Sequence, residues 1–195
     1  MNKYQYVCEN YKKPKPILFN TEMVRAILDG RKTQTRRPID VDISNNFDID
    51  KDESIYGYQC PETGDIYNLS EIINNIAPYQ PGDILYVRET FSPNFFPDDS
   101  PVYKASCPKS EWSEIRWKPS IFMPKEVARI FLRVTNVRVE KLKNITDEDI
   151  QAEGLQSRGG FAGAWDELYL GNGFGWDKNP WVWVIEFERV RENDD

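Results

Sequence analysis

The sequence predicts an α+β fold: a small, twisted, mixed but mostly antiparallel sheet closing toward a barrel, with short helices at its rim. Segments with the two-residue alternation of strands outnumber those with helical spacing. Thirteen prolines and 11 glycines in 195 residues break the chain into short pieces. The final apolar segment, WVWVIEFERV from Trp181 to Val190, is apolar at positions of both parities, which suits a strand buried on both faces.

A polar tail is expected over residues 1–14, then a single domain over 15–192 with an insertion at about 40–80. Ordered structure starts at Pro16-Ile17-Leu18-Phe19. Asn20 or Thr21 then caps a helix whose apolar stripe is Met23, Val24, Ile27 and Leu28, and Gly30 supplies the left-handed residue that stops it. After Gly30 the period becomes that of a strand, with Thr33, Thr35 and Arg37 on one face and Lys32, Gln34 and Arg36 on the other, until Pro38 ends it. The acidic half of the insertion, VDISNNFDIDKDES, lies next in sequence to this basic run and either shields it or folds over it as a lid. Its second half turns at Glu62-Thr63-Gly64-Asp65.

Pro81-Gly82-Asp83 is a turn signal leading into the strand ILYVRETF. The alternation from Val127 to Leu142 suggests two antiparallel strands bending at Thr135-Asn136. Thr146 caps a short helix, ITDEDIQAEGL, with acidic residues in its first turn and Gly154 as its stop, and a second short helix covers Phe161 to Leu170.

Composition narrows the function classes. With 39% hydrophobic and 13% aromatic residues the chain is globular. It has no apolar run long enough to span a membrane and no apolar stretch in MNKYQYVCENYKKPKP of the kind a signal peptide needs, so a cytoplasmic protein is expected. Cys8, Cys60 and Cys107 are far apart, which indicates neither a disulfide framework nor a zinc ribbon.

The histidine count is zero. That removes Ser-His-Asp and Cys-His triads, H-E-x-x-H zinc sites and any imidazole acid or base. A net charge of −7 argues against wrapping long nucleic acid, and leaves room for a small site that reads one base or nucleoside.

Against that charge, DGRKTQTRRPID (Asp29 to Asp40) concentrates Arg31, Lys32, Arg36 and Arg37. The residues alone admit a solvated strand face, a phosphate-holding patch or a catalytic lysine. The order of this motif after a helix, then GDILYVRET, then strands leading into ITDEDIQAEG, then WVWVIEF, closely resembles the ASCH domain family. That family is a branch of the PUA-like β-barrels, and the likeness is to its larger phage and prophage members, from about Lys15 to Val190.

Some relatives with this fold remove the acetyl group of N(4)-acetylcytidine with a lysine, a threonine and a glutamate, and others are regarded as RNA-binding. The resemblance places those residues at Lys32, Thr35 and Glu153, all present here. It implies a modified nucleoside or RNA as partner, an amidohydrolase as the enzymatic reading, and no metal or organic cofactor. The alternatives are a non-catalytic RNA- or nucleotide-binding module, in which Lys32, Arg36 and Arg37 hold phosphate, and a phage-encoded protein-interaction module.

The chemistry sets its own conditions. Thr35 acts as nucleophile or positions a water, and Lys32 takes its proton only when neutral. At the reference pKa roughly one lysine in 2,500 is neutral at pH 7, and lowering it toward roughly 7–8 corresponds to about 4 kcal/mol. Repulsion from Arg31, Arg36 and Arg37, together with burial, acts in that direction. Glu153 opposes it if ionised beside Lys32; if kept protonated by burial it becomes an acid or an oxyanion donor. Since Lys32 and Thr35 have opposite parity, they face one way only if Lys32 lies in the turn and the strand begins at about Thr33.

Further candidates lie on other strands. Arg88 and Glu89 are adjacent, so one forms a structural ion pair while the other reaches the pocket. Tyr86, Trp181 and Trp183 are either core residues or base-stacking ones.

Overall fold

The computed structural model describes residues 13–50, 55–93 and 100–190, so residues 1–12 of the expected tail, Cys8 and residues 191–192 of the expected domain lie outside it. In chain order the elements are β1 (Lys15–Leu18), α1 (Thr21–Leu28), β2 (Gln34–Pro38), α2 (Val41–Ser44), β3 (Phe47–Ile49), β4 (Ile55–Gln59), β5 (Ile66–Tyr67), α3 (Leu69–Ile76), β6 (Ile84–Arg88), β7 (Phe91–Ser92), β8 (Val102–Tyr103), β9 (Phe131–Lys141), α4 (Asp147–Ala152), α5 (Arg158–Tyr169) and β10 (Trp181–Arg189). Short 3₁₀ turns fill the connections, as at Lys125–Val127 and Leu142–Asn144. The architecture is mixed α+β, with several antiparallel sheets and short helices. Among the described residues no sheet closes on itself.

Local chemistry accounts for most boundaries. Asn20 caps α1, its side chain accepting from the Met23 N–H at 2.9 Å, and Gly30 stops the helix at φ +74°. Thr146 and Asp149 form a reciprocal capping box at α4, which Gly154 ends at φ +83°. The turn between β4 and β5 closes through Gly64, at φ +75°, with its N–H donating to the Cys60 carbonyl.

Two expectations are corrected. Val127 to Leu142 does not form a pair of strands; most of it is the single strand β9. Leu132 and Val134 are buried on one parity and Val137 on the other, with Thr135 and Asn136 exposed between them. The alternation changes phase while the chain keeps its direction, and that phase break resembled a turn. The helix expected from Phe161 begins earlier, at Arg158, because the Ser157 side chain accepts from the Gly160 N–H. Two glycines in its first turn weaken the helical signal there.

The chain divides into two compact units. The first takes in the chain to Thr33, Gly82–Val134, and the segment from Phe187 onward. In it β1 runs parallel to β6, with Ile17 opposite Val87, and β6 runs antiparallel to the start of β9, with Leu85 opposite Leu132. Its core contains Ile84, Phe91, Met123, Phe131 and Val190.

The second unit takes in Gln34–Pro81 and Thr135–Glu186. There β2 pairs antiparallel with β10, with Thr35 opposite Ile185 and Arg36 opposite Val184, and β3, β4 and β5 form a small antiparallel sheet. Leu142, Ile145, Ile150, Phe161, Trp165, Val182 and Val184 make its core. No helix among the described residues is long and apolar enough to cross a membrane.

Candidate functional site

In the first unit the candidate residue is Lys32. The backbone N–H groups of Arg31 and Lys32 both donate to the Ala26 carbonyl, at 2.9 and 3.0 Å. This fixes Lys32 just after the Asp29–Gly30 turn and ahead of β2, which starts at Gln34. The residue is only 2% exposed, and its Nζ stands 5.7 Å from the centroid of the Phe19 ring, which is itself 6.1 Å from Phe187. Lys32 lines a cavity of about 370 Å³ with Ile27, Leu132 and Phe187 as apolar walls and Glu188 and Arg189 as charged ones. A long side chain can bury its stem against such walls while its ammonium meets an aromatic face.

The second unit holds Thr35 and Glu153, and here the arginines take unexpected roles. Arg36 has no exposed side-chain surface. Its guanidinium reaches Glu140 at 2.5 Å, Asp149 at 2.8 Å and Glu153 at 3.2 Å. Arg36 therefore offers nothing to a phosphate, and its charge is met by carboxylates rather than left to repel a neighbouring cation. Arg138 continues the network to Glu140, Asp149, Glu186 and Gln34. Burial pushes the Asp149 carboxyl up, but the Thr146 N–H, Arg36, Gln34 and Arg138 outweigh it and hold the group below its ordinary value.

Glu153 is the C-terminal cap of α4 and is 6% exposed. Thr35, 1% exposed, accepts from Arg37 at 3.2 Å, and Arg37 also donates to Tyr169 at 3.3 Å.

The other candidates sort as follows. Arg31 is exposed and pairs with Asp29 at 2.9 Å. Glu89, 1% exposed, takes a two-pronged contact from Arg129 at 2.8 and 2.9 Å and is the structural ion pair of the YVRET strand. Arg88 donates to the carbonyls of Met123 and Ile121, tying down a loop. Tyr86 packs against the first unit's core. Trp183 is buried at 4% exposure, and Trp181, at 7%, meets Phe47 edge to face.

Sequence reasoning missed Glu140, Arg138, Tyr169 and Arg129. The shared parity of Arg138 and Glu140 on β9 was the available signal for a charged face. Asp149 was read only as a first-turn carboxylate, whereas it both caps its helix and bridges two arginines.

No family model matches the chain, and no curated protein does. The structure is similar to the crystal structure of protein EF3133 from Enterococcus faecalis V583, described under the family model DUF984, with a TM-score of 0.47 and 12% identity over 95% of this chain and 83% of that one. That likeness is too distant to bear on function.

Proposed function

We propose that this chain is a large ASCH-type member of the PUA-like fold, that it recognises a modified nucleobase or nucleoside, alone or within RNA, and that it hydrolyses an exocyclic amide of the N(4)-acetylcytidine type. One observation carries the reading. Few polar side chains are buried among the described residues, and Lys32, Thr35 and Glu153 are all among them, at 2%, 1% and 6% exposure. Withdrawing such groups from water costs free energy that ordinary surface residues avoid. Burial of Lys32 supplies the desolvation that a lysine base requires, against the opposing pull of the Phe19 ring on its ammonium form.

The assigned reaction consumes one water. Lys32 takes the proton of the Thr35 hydroxyl, or of a water held by it, and the oxygen attacks the acetyl carbonyl carbon. The carbon–nitrogen bond breaks, the proton passes to the departing exocyclic nitrogen, and acetate and cytidine leave. If Thr35 itself is acylated, a water completes the hydrolysis. Glu153, held by Arg36 at 3.2 Å, orients the reacting groups. Purified chain incubated with N(4)-acetylcytidine should release cytidine, followed by chromatography, and Lys32→Met or Thr35→Ala should lower turnover by roughly 10²–10⁴-fold. No turnover by the intact chain, or equal turnover by Thr35→Ala, removes the hydrolase.

A second reading has its own support: the Arg36 contact and the surrounding carboxylates are sufficient reason for Glu153 to be buried without any catalytic task. The chain would then be a non-catalytic nucleoside- or RNA-binding module. Binding of short RNA that weakens with salt and survives Thr35→Ala, without turnover, selects this reading.

A further inference from the structure

We propose that the second unit contains a separate binding cavity for a small planar aromatic molecule carrying an anionic group, a phosphate or a carboxylate. The cavity, about 440 Å³, falls within the range of small-molecule sites. Phe47, Phe174 and Trp181 contribute aromatic surface and Ile39, Val41 and Ile49 aliphatic surface to its lining, beside polar Ser44, Asn45 and Asn179, and Lys141 and Lys178 contribute its charge. Among the described residues that line it there is no carboxylate, in a chain whose net charge is −7.

The aromatic wall is held in place. The Ile39 N–H donates to the Trp181 carbonyl at 2.9 Å, which continues the β2–β10 register, and Phe47 stands edge-on to Trp181 at 5.8 Å and 88°. A ring entering against this pair finds surfaces suited to stacked or edge contacts. The Lys141 Nζ lies 4.5 Å from the centroid of the Trp181 ring, so the cation is positioned by the same indole that forms the wall.

Lys178 reaches the lining on a turn with an unusual backbone. Asn179, at φ +47°, is the one non-glycine residue with positive φ among the described residues, and its side chain accepts from the Lys143 N–H at 2.8 Å. Such conformations persist where the surroundings enforce them, often beside ligand sites. The adjacent Asp177 is engaged by Lys143 at 3.6 Å. The ring is therefore assigned to the Trp181–Phe47 wall and the anionic group to Lys141 and Lys178.

None of these residues takes part in the proposed amide hydrolysis, so the two readings fail separately. The test is calorimetric titration of the intact chain at low salt with cytidine 5′-monophosphate, benzoate, cytidine and inorganic phosphate. The phosphate- or carboxylate-bearing rings should bind saturably, with cytidine and inorganic phosphate each at least about tenfold weaker. Benzoate binding as well as the nucleotide makes the shared ring-plus-anion chemistry the determinant.

Lys141→Met and Lys178→Met should each weaken binding roughly 3–10-fold and the double variant more, with unchanged circular dichroism, while Lys32→Met leaves it unaltered. Absence of saturable binding, equal binding by inorganic phosphate, indifference to the double substitution, or loss on Lys32→Met would overturn the proposal.

Discussion

Lys32 and Arg36 sit in one basic run, yet the fold gives them opposite surroundings. Lys32 is buried in the first unit against the face of Phe19 beside a cavity with apolar walls. Arg36 is buried in the second unit within reach of Glu140, Asp149 and Glu153. The guanidinium is planar, with several fixed donors that can divide among carboxylates, whereas the ammonium is a point charge on a flexible apolar stem. Charges grouped in sequence are thus resolved one by one, and a basic run need not fold into a basic patch.

The sharpest way to test this contrast is to remove each charge while keeping apolar bulk. Arg36→Met takes the shared guanidinium from three carboxylates, of which Glu140 and Asp149 keep Arg138, and should cost about 3–5 kcal/mol in urea unfolding. Glu153→Gln removes one carboxylate and leaves Arg36 two others, so a loss of about 1–2 kcal/mol is expected by the same measurement. Lys32→Met keeps the stem's packing and forfeits the contact with Phe19, for about 1 kcal/mol. For the amide hydrolysis proposed above the order should reverse, with Lys32→Met the most damaging. Equal stability losses at Lys32 and Arg36 would break the comparison.

How far these roles could be read from the sequence varied with the range of the interactions. The Gly30 stop, the capping of α4 and the strand at Trp181 follow from neighbours in the chain, and local propensity specifies them. The Arg36 network joins β2, β9 and α4, segments more than a hundred residues apart in sequence between Arg36 and Glu140. Nothing local distinguishes Glu140 from a solvated strand carboxylate. Arg36 accordingly looked available to phosphate until the carboxylates that enclose it were in view. The phase change within β9 had the reverse problem, a local signal with two structural meanings.

The smallest effect concerns pH and separates Asp149 from its neighbours. Its carboxyl is held below its ordinary value, against the opposing push of burial, by the Thr146 N–H, Arg36, Gln34 and Arg138. A group with a depressed folded-state pKa contributes stability that is present above its unfolded value, near 3.9, and is lost as the pH falls through the folded value. Asp149 should therefore steepen acid destabilisation below about pH 4 and leave stability flat across neutral pH. Glu140, Glu153 and Glu186 face the same two arginines, so a variant confined to Asp149 is needed to isolate its share. Asp149→Asn keeps an acceptor for the Thr146 cap while deleting the titration. If urea midpoints measured at about pH 6 and about pH 3 differ less for this variant than for the parent, Asp149 is a titrating member of the network; an identical difference would remove Asp149 from the acid response.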